Sequence, residues 1–202
     1  MHPSARIGPN AITRVAEALH AEFGAQGAAR VFGLAGLGRY LDAPPERMVD
    51  EAEVALLHRR LRESLGDAVA HRIGREAGLR TADYLLARRI PRAVQWLLKR
   101  LPAALAARVL LAAIARHAWT FAGSGRFRVL HGRPLLLFIA GNPMCRGVLS
   151  DEPLCDFYAA TFERLFRVLV HPGSTVREVA CESMGAPACA FAVHWDGPGA
   201  DR

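Results

Sequence analysis

The chain has 202 residues, of which 51% are hydrophobic and only 22% charged, with a net charge of +7. That is enough apolar material for a sizeable core, and it excludes an intrinsically disordered chain. No stretch reaches the ~18 uncharged apolar residues of a membrane span. The nearest, Leu101–Ala115, is interrupted by Arg108. The first residues also lack the long apolar run of a signal peptide, so a soluble, cytoplasmic protein is expected.

In chain order, Pro9–Phe23 predicts a first helix, with Ile12, Val15, Leu19 and Phe23 at helical spacing, Asn10 as N-cap and Gly24 as stop. Gln26–Tyr40 predicts a second, glycine-diluted helix. Its GLAGLGRYL run is no dinucleotide fingerprint, because no strand precedes it. Pro44-Pro45 breaks the chain. A third helix is expected from Glu46 to Leu65, its acidic start and basic end matching the helix dipole. Asp67 caps a fourth, whose GREAG segment permits close helix approach. From Pro91 to Phe121 the helical pattern continues and restarts at Pro102. It carries an apolar surface too broad for a simple solvent-facing helix.

After Gly123 the period becomes two. Arg126–Leu130 and Leu135–Ile139 predict strands around a turn at His131–Pro134, and Gly141-Asn142-Pro143 a loop. Asp151–Val170 predicts one long amphipathic helix, ended by Pro172-Gly173. Val176–Trp195 then predicts a hairpin centred on Gly185, with Cys181 and Cys189 side by side on neighbouring strands. The expected fold class is α+β: a helical half (9–121), then a β-β-α-β-β unit (125–195) with a four-stranded antiparallel sheet, together a single domain over 1–202.

Arg59–Arg133 holds 16 Arg and Lys against Glu63, Asp67, Glu76 and Asp83. Solvated helix faces explain this, as does an anionic ligand or membrane surface. Lys99 is the only lysine, the mark of a GC-rich genome choosing Arg. No nucleic-acid motif accompanies the charge, and no nucleic-acid partner is expected.

Three elements of the C-terminal half resemble the 4-vinyl reductase domain, a ligand-binding fold akin to haem-type nitric oxide sensors. They are Pro153-Leu154-Cys155 opening CDFYAATFERLF, Glu178-Val179-Ala180-Cys181, and Gly185 followed by Cys189-Ala190-Phe191. The IGPNAI start, the Arg-rich helices and Asn142-Pro143 extend the resemblance to the bacteriochlorophyll 4-vinyl reductase family over nearly the whole chain. The resemblance implies a photosynthetic bacterium and a chlorophyll-precursor ligand.

It also implies a metal. Sensors with this domain hold structural zinc through cysteines matching Cys155, Cys181 and Cys189, plus a carboxylate. No acidic residue stands clearly in the strand position that supplies that carboxylate. Cys145 and Glu152 are candidates for the fourth ligand. Reduced core thiols and a Cys181–Cys189 disulfide are the alternatives.

A tetrapyrrole needs an apolar slot, a basic rim and an axial donor. Trp96, Trp119, Phe121 and Leu110 are candidates for the slot, Arg88, Arg89, Arg92 and Arg100 for the rim, and His117 for the axial ligand; His131, His171 and His194 are weaker. No dinucleotide fingerprint, phosphate loop or iron–sulfur spacing is visible. The expected function is therefore a carrier or accessory factor of bacteriochlorophyll biosynthesis. It would bind a magnesium porphyrin or protochlorophyllide and serve enzymes of that pathway. Fold-level analogy adds a homodimer. The alternatives are the divinyl protochlorophyllide 8-vinyl reductase of the family label, and a ligand-sensing or assembly module peripheral to the photosynthetic membrane.

Overall fold

A computed structural model describes residues 5–195. A short ribbon pairs β1 (Arg6–Ile7) with β2 (Val49–Asp50). Around it run α1 (Asn10–Leu34), α2 (Arg39–Asp42), α3 (Glu51–Leu65), α4 (Asp67–Arg88), α5 (Arg92–Leu98), α6 (Ala103–Arg116) and α7 (Trp119–Ala122). Then come β3 (Arg126–Leu130), β4 (Leu135–Ala140), α8 (Asp156–Leu169), β5 (Thr175–Ala180), a 3₁₀ turn (Glu182–Met184) and β6 (Cys189–His194). The α+β class and the four-stranded antiparallel sheet are as expected, and the strand order is β3-β4-β6-β5.

The layers follow from α8. Its pattern is amphipathic, but it is buried on both sides. The sheet covers one side and α4 the other, and Phe157, Tyr158, Phe162 and Phe166 all lie inside. Leu137, Ile139 and Phe191 of the two central strands join the same core. The α4–α8 approach depends on the GREAG glycines. A Cβ on Gly78 would fall 2.3 Å from the Phe157 carbonyl oxygen. The hydroxyl of Thr161 donates to the Gly78 carbonyl across that contact, at 3.1 Å. The buried Glu163 accepts from Arg75 at 2.9 Å and from the Val176 N–H at 3.1 Å, tying α8 to α4 and β5.

Several boundaries differ from expectation. Gly24 does break the helical geometry (φ 70°, ψ −173°), but the helix resumes at once and ends at Leu34, not Tyr40. Gly36, at φ +67°, is what the chain needs to turn back there. Asn10 is the first helical residue, and Pro9 stands at the cap. The third helix starts at Glu51 rather than Glu46, because Val49–Asp50 pair with β1 and the Asp50 carboxylate caps Ala52 N at 2.9 Å. Asp67 lies within α4 and Gly66 takes the cap. The helix expected from Asp151 begins at Asp156. Pro153 disfavours helical backbone in the residue before it, and Cys155 is non-helical at φ −106°, ψ 40°.

The closing hairpin also differs. Gly185 is left-handed (φ 84°), but it ends the 3₁₀ turn and is not the tip of a two-residue loop. A register shift at Glu178/Ala180 pairs Ala180 with Ala190, so Cys181 falls beyond the ladder and Cys189 pairs with Ile139 instead.

Candidate metal centre

Four separate segments each bring one thiol to the same point. Cys145 sits in the loop after β4. There the Asn142 side chain accepts from Met144 N at 2.9 Å in an Asx turn. Arg146 anchors that loop to the buried Glu51 at 2.5 Å. Cys155 is the residue before the first turn of α8, and its N–H donates to Glu178 Oε2 at 2.7 Å. Cys181 opens the 3₁₀ turn and Cys189 opens β6. Glu182 joins the two loops, accepting from the N–H groups of Gly141 (2.6 Å) and Asn142 (2.8 Å).

All four cysteines are free and buried, and their sulfurs lie within 4.8 Å of one another. Sγ separations are 3.5 Å for Cys145–Cys189, 3.6 Å for Cys155–Cys189, 3.7 Å for Cys181–Cys189 and 3.8 Å for Cys155–Cys181. Four sulfurs at about 2.3 Å from a tetrahedral zinc would be about 3.8 Å apart, so the quartet has the edge length of a single ion. An iron–sulfur cluster of two or more metals would spread its thiolates further. The Cys181–Cys189 contact is far longer than the ~2.05 Å of a disulfide.

The surroundings suit thiolates. Asn142 Nδ2 approaches Cys155 Sγ at 3.2 Å, Ser183 Oγ donates to Cys181 Sγ at 3.1 Å, and Glu182 N points at Cys189 Sγ at 3.5 Å. Burial pushes the Cys155 thiol well up, and its neighbours add to this. Hydrogen bonds from Cys145, Cys155 and Cys189 hold Cys181 down, which makes it the thiolate of the group. Burial, with the Cys181 charge beside it, pushes the Glu178 carboxyl up to about 8. Its Oε1 is buried without a partner. The half-buried Arg62 donates to the Met144 carbonyl at 2.6 Å and supplies a nearby positive charge. Burial lowers its pKa, while Cys155 and Cys145 oppose that.

Of the two fourth-ligand candidates, Cys145 joins the quartet. Glu152 does not: it is exposed and turned to His71 Nε2 at 3.3 Å. Sequence reasoning misses Asn142, Glu182 and Ser183 as supporting residues. Only Asn142-Pro143 carries a signal, as a loop. Glu178, visible in the sequence only as part of a motif, is the carboxylate beside the thiols.

The residues considered for a tetrapyrrole form no enclosed slot. Trp96 and Trp119 are 58% and 61% exposed. Arg100 stacks over the Trp96 ring at 3.8 Å. Phe121 faces inward, edge-on to Phe127 at 5.5 Å, and Leu110 is buried. Arg88 ends α4, Arg89 follows it and Arg92 begins α5, all exposed. His117 ends α6, with Nδ1 2.9 Å from the Ala113 carbonyl. That contact puts the proton on Nδ1 and leaves a lone pair on Nε2.

The 4-vinyl reductase domain family matches residues 135–195, which span β4 to the end of β6. Its name is that of a domain and assigns this chain no activity. Two relatives are each called bacteriochlorophyll synthase 23 kDa chain. The one from Cereibacter sphaeroides is 53% identical over 92% of this chain and 89% of its own. The one from Rhodobacter capsulatus is 43% identical over 94% of this chain and 87% of its own. Among solved structures, a mutant H-NOX protein from K. algicida in its unliganded Fe(II) form superposes with a TM-score of 0.58, covering 95% of this chain and 98% of that one. At 13% identity this likeness is one of fold alone.

Proposed function

The chain belongs to the family of bacteriochlorophyll synthase 23 kDa chains, and on that basis we propose that it is an accessory protein of bacteriochlorophyll biosynthesis that binds a tetrapyrrole precursor. The observation that carries this reading is the similarity of nearly the whole chain, helical half included, to the two relatives. The ligand is a magnesium porphyrin or protochlorophyllide. Trp96 and Trp119 offer flat apolar surface, and Arg88, Arg89 and Arg92 meet the carboxylates. His117 supports the axial role because its Nε2 lone pair is free.

The thiol quartet is the proposed site of a structural zinc. Cys145, Cys155, Cys181 and Cys189 fit it in donor type, burial and spacing. Four protein ligands leave no open position, so the ion would brace the fold and take no part in chemistry. It would tie the start of α8 to β6 and to the loops before and after the sheet's central strands. Elemental analysis of protein purified without added metal is expected to find about one zinc per chain; metal-free, fully folded protein would overturn this.

Titration with a magnesium porphyrin tests the ligand. A shifted Soret band and quenched tryptophan emission at micromolar ligand are expected, with His117→Ala losing the part of the shift due to axial ligation. No change would reject the carrier reading. Conversion of divinyl protochlorophyllide to its monovinyl form, by the protein and NADPH alone, would replace it with the reductase.

A further inference from the structure

Residues 84–150 contain no Asp or Glu, yet they include Arg92, Lys99, Arg100, Arg108 and Arg116 on or beside α5 and α6. The two helices are joined by four residues, and a proline stands at the start of each. Leu98 points α5 inward. Its outward positions are Ala93, Trp96, Leu97 and Arg100, at the i, i+3, i+4, i+7 spacing of one helix face. On α6, Ala106, Ala107, Leu110 and Leu111 are buried. Leu105, Val109, Ala112 and Arg116 share the opposite face, with Arg108 at its edge. Trp96, Leu97, Leu105 and Val109 are 58%, 50%, 46% and 43% exposed. Both helices therefore carry apolar groups interleaved with cations on their outer faces.

We propose that the α5–α6 hairpin docks the protein on a lipid bilayer bearing anionic headgroups. Charge decides the partner. A second copy of this chain would bring cations against cations over a segment with no carboxylate to offset them. An anionic surface complements it, each Arg or Lys near the headgroups adding to the attraction. The apolar groups are exposed side chains that protrude, which suits burial among acyl chains. Trp96 beneath the Arg100 guanidinium pairs an amphipathic ring with a cation, as membrane interfaces favour. Helices of 7 and 14 residues are too short to span a bilayer and would lie in its surface. Among the described residues no helix is long and apolar enough to cross.

The proposal does not depend on tetrapyrrole binding, so its test uses the full chain without porphyrin. The chain is expected to float with phosphatidylcholine vesicles containing about one-third phosphatidylglycerol, but not with phosphatidylcholine alone. Tryptophan emission should shift to the blue. Trp195 is stacked on Phe166 at 6.0 Å, which leaves Trp96 and Trp119 as the reporters. About 0.5 M NaCl should release most of the protein, since the screening length is then only a few ångströms. Leu97→Glu combined with Leu105→Glu should weaken binding more than tenfold with the circular dichroism unchanged. Should that variant misfold, Arg108→Ala and Arg116→Ala carry the test, each weakening binding about fivefold. Failure to float on anionic vesicles, equal binding to both vesicle types, or charge variants that float like the wild type would each overturn the proposal. So would a pathway protein that covers this face while lipid does not bind. A porphyrin titration that succeeds where flotation fails would reject lipid docking alone.

Discussion

Cys145 and Cys189 are 44 positions apart in the chain, yet their sulfurs lie 3.5 Å from each other. Cys145 comes from a loop shaped by Asn142, and Cys189 from the first residue of a central strand. Cys145→Ser is expected to leave the other three thiols in place and remove one ligand. Chelator should then strip the metal far more readily, and stability should fall by about 4 kcal/mol or more, the scale of metal-site loss. Urea unfolding with and without chelator measures both. A variant as stable as the wild type, with equal zinc content, would remove Cys145 from the site.

Asn142 supports the site without being a ligand. Its amide donates to Cys155 Sγ, while its side-chain oxygen holds the Cys145 loop. Asn142→Ala should lower zinc affinity about 10- to 100-fold, the usual effect of losing such a support. Competition with a chromogenic chelator reads this. Glu182→Ala orphans two backbone N–H groups and should cost about 2–3 kcal/mol.

Two glycines of α4 should respond with opposite signs. A Cβ at Gly78 would meet the Phe157 carbonyl at 2.3 Å and Ala160 Cβ at 3.0 Å, so Gly78→Ala should destabilise by about 1–3 kcal/mol. At Gly74 the nearest atom is 3.6 Å away, an ordinary contact. Gly74→Ala should therefore gain about 0.5–1 kcal/mol from the lower helical cost of alanine. Thermal or denaturant melts of the pair decide it, and equal effects would contradict the α4–α8 packing described.

His58 is fully buried, with Nε2 unpartnered. Burial first, and the Arg62 charge second, lower its pKa from 6.5 to about 3. The unfolded chain therefore binds a proton that the folded chain refuses. The stability tied to His58 is whole above about pH 6.5 and declines as pH falls toward 3, by up to about 1.4 kcal/mol per pH unit. His71 runs the other way. Partial burial works against its charge, but Asp156 at 2.5 Å, helped by Glu152, raises its pKa. Its contribution is present below pH 6.5 and is lost as pH rises through the raised value. His58→Leu should flatten the acid limb of a stability–pH curve, and His71→Ala the alkaline side of neutrality. Unchanged curves would refute both assignments.

Much of the layout is legible in the sequence because it depends on local chemistry. Hydrophobic period separates the helices from strands β3 to β6, and Gly24 and the prolines punctuate them where φ or the missing N–H demands it. Boundaries move where a distant partner intervenes. Residues 49–50 leave the third helix to pair with β1, and Cys181 leaves the ladder at a bulge. Glu152 is a reasonable ligand by position, but it faces His71 because α4 packs against α8.

The sequence by itself determined the α+β class, the four-stranded sheet and the three cysteines of the motif, since periodicity and short spacings are properties of neighbouring residues. Only the tertiary structure decided which fourth group joins them, that Glu178 and Asn142 stand beside them, and that Trp96 and Trp119 are exposed. The physical reason is the same for each. These relations span 13 to 44 positions for the thiol neighbours, and they exist only once α8 is clamped between sheet and α4. Burial of the four sulfurs is set by that packing, and so is the match of their separations to one ion.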